Sequence, residues 1–326
     1  MPNNYWESIS NIISKKRNVK FQEQKKSFGS LNPNITFYVI RRRPPGWGFF
    51  SNVMHVLQGL VYAEENNYTP VVDMENYWLY ENSEVQAING SFNVWCYFFE
   101  QVSEFSLDEV YKSRNVILSS GDKILGDKHW FTDKSFGYVF DENHLSRISE
   151  VFHKYVRLND VTLTYVKSKK IEINWSPKDT LGVFVRGTNY NRVDGGAPPT
   201  PSIDFFSDNL NNLLSSSGSK RLFVSTEDFN YFNALSRTYG DILLPSLRLA
   251  EFENGEQWEK TQKLNFDGGI RPRFIDTLNY LTEIFLLSEC SNFIGNRSNG
   301  SVISLISNAN HFEIARIIFP DSFVDL

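Results

Sequence analysis

A permanently charged side chain directly follows an apolar run that has the composition of a buried strand. Residues 181–185 are all apolar or glycine, and Arg186 comes next. In open α/β sheets, ligands bind beyond the carboxyl ends of the strands, and a guanidinium binds phosphate oxygens in a forked geometry. A structural salt bridge would explain a lone arginine equally well. The long loop rich in Gly and Pro at 187–201 favours a binding site.

Two further polar segments lie in the same half of the chain. One follows the predicted strand at 221–226, and the other follows the predicted strand at 292–295. Hydroxyl, amide and guanidinium groups at a helix start can donate to a phosphate, and a carboxylate can accept from a base or a ribose hydroxyl. Simple helix capping is the alternative for both segments. The side chains concerned are Thr226, Asp228, Arg297, Ser298 and Asn299.

A glycine-bearing turn in the N-terminal half lies between a predicted strand at 35–40 and a helix. Gly48 lets the backbone turn tightly, and Ser51 or Asn52 is the predicted helix cap. Free N–H groups at such a helix start suit an anion. The turn lacks a complete dinucleotide fingerprint and a phosphate-loop lysine, so a plain tight turn remains the alternative.

Composition excludes several classes of protein. The net charge of −5 and the pI of about 5.7 argue against a nucleic-acid-binding surface. The two cysteines exclude a four-cysteine zinc site and are expected to be small buried side chains. None of the five histidines forms an H-E-x-x-H pattern, so we expect no metal site.

The N-terminal segment and the hydropathy bear on location. No apolar run reaches the length of a membrane span, and residues 1–14 lack the apolar stretch of a signal peptide. We therefore expect a cytoplasmic protein. Residues 1–34 are predicted to be a helical or loosely ordered lead-in with basic residues, which form either a solvated face or a peripheral contact with an anionic membrane surface.

Strands alternate with helices along two stretches of the chain, which predicts two open α/β domains. The expected strands lie at 35–40, 70–74, 116–118, 181–186, 221–226, 242–245 and 292–295. The expected helices lie at about 52–63, 142–156, 160–170, 203–214, 229–239 and 276–290, and another begins at 301. The predicted domains are residues 1–175 and 176–326.

Taken in order, these segments resemble the fucosyltransferase superfamily, and within it the group of core α1,6-fucosyltransferases and nodulation fucosyltransferases. The family's H-V-R-R-T-D-K strand end lines up without a gap with residues 184–190, and its A-T-D-D strand end with 225–228. Its D-I-x-x-L-S helix is similar to 283–288, which a serine-bearing turn follows, and its glycine-bearing helix start is similar to 48–56.

The resemblance implies a GT-B fold, in which two Rossmann-like domains with parallel sheets face a cleft. The N-terminal domain would bind the acceptor and the C-terminal domain the nucleotide sugar. The implied reaction is an inverting, metal-independent transfer of fucose from GDP-fucose to a hydroxyl of a glycan or polysaccharide, in polysaccharide biosynthesis. GDP-fucose is then a substrate, and no cofactor is implied. The chain has no D-x-D triple of the kind that metal-dependent GT-A enzymes carry.

Residue roles follow from the same resemblance by position. Arg186 would bind the donor pyrophosphate, and Asp194, eight residues later, would deprotonate the acceptor. The remaining donor-side positions are Gly48, Asn52, Thr188, Asn189, Thr226, Asp228, Arg297, Ser298 and Asn299. On the acceptor or cleft side are Trp47, His55 and Tyr190. The rings of Trp47 and Tyr190 either stack on the faces of sugars or pack against other parts of the protein.

The chain departs from the family pattern at four positions of the Arg186 strand end. Phe184, Gly187, Asn189 and Tyr190 stand where the family has His, Arg, Asp and Lys. Losing an arginine and a lysine removes two positive charges beside a pyrophosphate. Three explanations are open. Other arginines (Arg192, Arg271 or Arg273) supply the missing positive charge, the donor is another nucleotide sugar, or the chain is a non-catalytic carbohydrate-binding protein. A sulfotransferase is a further class, which the missing phosphate-loop lysine disfavours.

Overall fold

The computed structural model describes residues 23–42, 48–75, 90–121, 142–187, 200–248, 270–309 and 311–326. For 142–144 and 270–273 it describes the backbone alone. Its strands are β1 (Gln24–Lys26), β2 (Leu31–Arg41), β3 (Thr69–Asp73), β4 (Ser113–Leu118), β5 (Thr180–Val185), β6 (Arg221–Thr226), β7 (Asn292–Asn296), β8 (Ile314–Ile318) and β9 (Phe323–Asp325). Its helices are α1 (Phe49–Glu65), α2 (Leu107–Val110), α3 (Glu142–Tyr155), α4 (Asp160–Glu172), α5 (Ile203–Ser217), α6 (Phe229–Tyr239), α7 (Ile270–Glu289) and α8 (Asn299–Asn308).

The first unit consists of the described residues from 23 to 121 together with 155–159. Its sheet has the order β1-β4-β2-β3, in which β2 pairs in parallel with β3 and β4. The central strand is fully buried from Phe37 to Ile40, and Val56, Leu57 and Leu60 of α1 are also inaccessible to solvent. The predicted apolar residues of α1 are buried, but so are Asn52, Met54 and His55, so the helix is covered on more of its circumference than one stripe.

The second unit consists of residues 142–154 and the described residues from 160 onward. Its sheet has the order β6-β5-β7-β8-β9, and all strands but β9 run parallel. Every residue of β5 is buried, which explains its continuous apolar sequence, because strands in the middle of a parallel sheet have both faces covered. The carboxyl ends of β5, β6 and β7 are consequently neighbours.

Helices α3 and α4 pack within the second unit. The Ser149 hydroxyl of α3 donates to the carbonyl of Ile306 in α8, and the Tyr165 hydroxyl of α4 donates to Asn279 in α7 over 2.6 Å. Both helices precede residue 175, where the sequence places the domain boundary, yet they group with the second sheet.

The α/β class and most of the predicted elements are confirmed, but several details differ, among them the start of α7 at Ile270 and the unpredicted strand β8. Residues 242–245 form no strand; a 3-10 turn ends at Ile242 and only an isolated bridge joins Leu243 to Leu222. Helix α1 begins earlier than predicted, with Gly48 as its N-cap. Parts of the expected lead-in, 24–26 and 31–34, belong to strands. The sheets are mixed, since β1 and β9 are antiparallel.

Sequence periodicity alone cannot find β1 and β9, because each has only three residues.

Among the described residues, no helix combines the length and apolar character needed to cross a bilayer.

Candidate functional site

The backbone of Arg186 is fixed where β5 ends. Its N–H donates to the Asn296 side-chain oxygen at 2.8 Å, and the Asn296 amide donates back to the Arg186 carbonyl at 2.8 Å. This reciprocal pair ties the end of β5 to the end of β7, and Asn296 is 1% exposed. The Thr200 hydroxyl also donates to the Arg186 carbonyl, so the position of the residue is set on both sides.

The Arg186 side chain forms an ion pair with a buried carboxylate. Its Nε lies 3.0 Å from Oε1 of Glu227, which follows β6 and is 4% exposed, whereas the Arg186 side chain keeps a quarter of its surface exposed. A guanidinium that is anchored on one side and accessible on the other is suited to binding an anion in a forked geometry. The salt bridge considered from sequence is therefore present, and the binding of a phosphate by Arg186 stays a prediction.

The ion pair continues inward as a chain of alternating charges. Arg248 Nη2 lies 3.6 Å from the second oxygen of Glu227, and Arg248 Nε lies 3.2 Å from Glu283 Oε2. The Arg248 guanidinium also lies over the Tyr280 ring, 4.0 Å from its centre. All four charged groups belong to the second unit.

Glu283 is a fully buried carboxylate of α7. Besides Arg248, it accepts hydrogen bonds from the Ser225 hydroxyl, the Ser246 hydroxyl and the Leu247 N–H at 2.7–3.1 Å. Burial raises its pKa, and these donors act in the opposite direction. A carboxyl group this deep requires such partners, because removing one partner of a buried ion pair costs on the order of 3–5 kcal/mol.

The space beside Gly187 is filled by Asp228. A Cβ added to Gly187 would lie 2.7 Å from Asp228 Cγ and closer still to Oδ2. Asp228 in turn caps α6, with Oδ1 accepting from the N–H groups of Asn230 and Tyr231. The capping role considered from sequence is therefore real, and it explains physically why an arginine side chain has no room at position 187.

The start of α8 follows β7 directly and is tightly packed. Ser298 is buried and caps the helix by accepting from the Ser301 N–H at 3.3 Å. A Cβ on Gly300 would lie 2.6 Å from the Phe184 ring, so the helix start rests on the end of β5. Arg297 and Asn299 are partly buried. The positive end of the α8 dipole thus lies at the same sheet edge as Arg186.

Two more of the strand-end positions are buried in the second unit. Phe184 is inaccessible and stacks on Tyr280, with ring centres 6.2 Å apart. Thr226 is 3% exposed, and its hydroxyl accepts from the Asp228 N–H at 3.0 Å. A donor-binding role for Thr226 stays a prediction, since its observed contact is with the capping residue.

The first unit contains the predicted residues of the glycine-bearing turn. Asn52 donates to the Gly48 carbonyl at 3.1 Å and accepts from Arg42 Nε at 3.1 Å. His55 is 5% exposed, and its Nε2 donates to the Arg41 carbonyl at 2.8 Å. Burial and the positive charge of Arg42 lower the pKa of His55 to about 3, so the ring is neutral. The neutral ring secures the end of β2, and its role in a cleft stays a prediction.

Five of the predicted site residues lie outside the described residues: Trp47, Thr188, Asn189, Tyr190 and Asp194. Among the residues described, no group of three or more His, Cys, Asp or Glu side chains is arranged to hold a metal ion.

Arg248 was not identified from the sequence, and Glu227 and Glu283 were given no part in anchoring Arg186. One signal was present: Glu283 interrupts the apolar face of a predicted helix whose neighbours Ile284 and Leu287 are buried. A carboxylate in that setting requires a partner. Nothing in the local sequence identifies the partner, because Arg248 lies 35 residues away.

Comparison with known proteins gives structural likeness but no sequence match. No known sequence family and no curated protein matches the chain. The structure is similar to the fucosyltransferase NodZ from Bradyrhizobium, with 14% identity over 90% of this chain and 99% of that one and a TM-score of 0.45.

Two eukaryotic structures are similar to a comparable degree. POFUT1 in complex with GDP-fucose has 11% identity over 90% of this chain and 99% of its own, with a TM-score of 0.46. A mutant of FUT1 from Arabidopsis thaliana in complex with GDP has 10% identity over 95% of this chain and 74% of its own, with a TM-score of 0.45. These likenesses concern the fold, which the two sheets of this chain establish by themselves.

The contact between Gly187 and Asp228 gives a prediction about stability. Gly187→Ala should destabilise the second unit by roughly 1–3 kcal/mol, because the added methyl forces the Asp228 side chain away from the start of α6. Urea unfolding of the wild type and the variant measures this difference.

The matched background for that test is Asp228→Gly. Glycine at the cap position costs only a few tenths of a kcal/mol relative to aspartate and removes the obstructing atoms. In this background Gly187→Ala should cost less than about 0.5 kcal/mol. Equal costs in the two backgrounds would mean that Asp228 does not fill the space beside Gly187.

The buried neutral His55 gives a prediction about pH. Its pKa falls from 6.5 to about 3 on folding, so the unfolded chain takes up a proton below pH 6.5 that the folded chain does not. The stabilisation is present above pH 6.5 and is lost at up to about 1.4 kcal/mol per pH unit as the pH falls toward 3. Calorimetric unfolding between pH 7 and 5 measures the slope.

His55→Gln should remove most of this slope, because the amide can keep a donor near the Arg41 carbonyl but does not titrate. The control is His153→Gln, since His153 is exposed; this variant should keep the wild-type slope. A slope that survives His55→Gln would show that another group titrates.

Proposed function

We propose that this chain is a glycosyltransferase that transfers a sugar, fucose, from GDP-fucose to a hydroxyl group of a glycan or polysaccharide. The observation that carries the proposal is the anchored Arg186. Its backbone is paired with Asn296, its side chain is held by Glu227, and it stands at the sheet edge where the capped helix α8 begins.

The chemistry of sugar transfer requires such a group. When the bond between the sugar and the nucleotide breaks, negative charge develops on the departing diphosphate. A guanidinium and a helix N-terminus held beside that charge lower the barrier without reorganising during the reaction. Arg186 would thus do the work that a divalent cation does in metal-dependent enzymes, and we propose a metal-independent reaction.

A base must remove the proton of the acceptor hydroxyl. We propose Asp194 for this role, because it stands eight residues after Arg186, at the position where the family that the sequence resembles has the carboxylate proposed to deprotonate the acceptor. A direct displacement inverts the anomeric carbon, which requires the base and the leaving diphosphate to lie on opposite faces of the sugar.

GDP-fucose is proposed as the donor on the ordered set of motifs around Arg186, Asp228, Glu283 and Ser298. Among the similar structures, POFUT1 is in complex with GDP-fucose and FUT1 with GDP. The donor proposed for this chain is of the same kind.

A second candidate function has specific support in the altered strand end. Phe184 packs on Tyr280, and Asp228 fills the space beside Gly187, so two polar positions of the family pattern are replaced by well-packed alternatives. A carbohydrate-binding protein without transferase activity would tolerate these changes. Mass spectrometry of GDP-fucose incubated with the protein separates the two functions, since only the enzyme releases GDP.

Arg186→Ala should lower kcat/KM for the release of GDP from GDP-fucose by at least about 100-fold, the scale of losing one electrostatic stabiliser. The control is Arg147→Ala, which removes an arginine from an exposed pair with Glu150 in the same unit and should leave kcat/KM within about twofold of wild type. Near-normal activity of Arg186→Ala would refute its role.

The same assay tests Asp194. Asp194→Asn should lower the rate of transfer to an acceptor and leave the affinity for GDP nearly unchanged, since a base acts on the acceptor and not on the nucleotide. Full turnover by this variant would exclude Asp194 as the base.

A further inference from the structure

Arg186 and Arg248 each lie within ion-pair distance of a different oxygen of one buried carboxylate, and only the Arg186 contact is short enough for a hydrogen bond. Arg186 Nε lies 3.0 Å from Glu227 Oε1, and Arg248 Nη2 lies 3.6 Å from Glu227 Oε2. Glu227 is 4% exposed. This carboxylate therefore lies between Arg186 and a second guanidinium that does not itself pair with Arg186.

Arg248 is well suited to hold Glu227. It is fixed from two other directions, by Glu283 at 3.2 Å and by the Tyr280 ring at 4.0 Å. Glu283 is in turn fixed by the Ser225 hydroxyl from β6. The chain of contacts therefore runs from the core of the second unit to the partly exposed guanidinium of Arg186.

The four groups of this network balance in formal charge, since Arg186 and Arg248 are paired with Glu227 and Glu283. Arg248 therefore acts on Arg186 through the position of Glu227 and not through added positive charge.

We propose that Arg248 is a positioning residue of the donor site, which acts on the diphosphate through Glu227 and Arg186 without touching the ligand. The proposal rests on the function proposed above. It also gives this chain a second guanidinium in the network, at a site where Asp228 leaves no room for a side chain at position 187.

The test is a double-mutant cycle on ligand affinity, measured by titration calorimetry with GDP and with inorganic pyrophosphate. Arg248→Lys keeps the charge but loses the fork that reaches both Glu227 and Glu283. It should weaken binding about tenfold in the wild-type background, the size of a coupling between groups in one network. In an Arg186→Gln background, with ligand titrated to millimolar concentration, it should weaken binding less than about twofold, because the residue through which it acts is gone.

The matched control is Arg316→Lys. Arg316 is forked to Asp325 and lies 4.1 Å from the centre of the Phe323 ring, and its side chain is 12% exposed, as is that of Arg248. This variant should lose a similar amount of thermal stability and keep the wild-type affinity for GDP. Glu283→Gln is a second test, since it alters the inner partner of Arg248 at constant side-chain shape and should weaken GDP binding only while Arg186 is present.

Three results would overturn the proposal. Equal weakening by Arg248→Lys in both backgrounds would mean that Arg248 contacts the ligand directly. Unchanged or tighter binding with a lower melting temperature would mean a structural role or an occluding one. If the wild-type chain binds neither GDP nor pyrophosphate, the proposed function fails and the positioning role fails with it; binding by the wild type that Arg248→Lys leaves intact removes only the positioning role.

Discussion

The ion pair between Arg186 and Glu227 is the interaction on which the candidate site depends. It can form only because three parallel strands end at one sheet edge, where Asn296 of β7 holds the Arg186 backbone and β6 delivers Glu227. The buried end of the pair needs Arg248 and Glu283, since a carboxylate cannot be buried without compensating charge or donors. The Arg186 side chain keeps a quarter of its surface exposed, and it is there that we propose an anion binds.

The same edge shows how the chain departs from the pattern that its motifs resemble. Glycine at 187 and phenylalanine at 184 are not simple losses, because Asp228 and Tyr280 pack into the positions concerned. Asp228 serves the start of α6 at the same time. Among the described residues, the charges next to Arg186 lie in the network of Glu227, Arg248 and Glu283.

The sequence was sufficient to predict the helices and strands that have a strong apolar pattern. The bounds of β6 and α6 agree with the prediction to the residue, since an apolar run and an N-cap aspartate mark them. It was insufficient where contacts between distant parts of the chain determine the structure. Leu243 forms an isolated bridge with Leu222 of β6 and no strand, and Arg248 pairs with a carboxylate far along the chain. Helix α1 begins before Ser51 because the Gly48 carbonyl accepts from both Ser51 and Asn52.

The most direct test of the proposed donor site is a thermal-shift comparison of GDP with UDP, CMP and adenosine 3′,5′-bisphosphate on the wild-type chain. A nucleotide at 100 times its Kd should stabilise the protein by about 2.7 kcal/mol, which raises the melting temperature by a few degrees. We predict this shift for GDP and its loss in Arg186→Ala. A shift with another nucleotide and none with GDP, or a GDP shift that Arg186→Ala retains in full, would contradict the assignment of Arg186 to a GDP-sugar site.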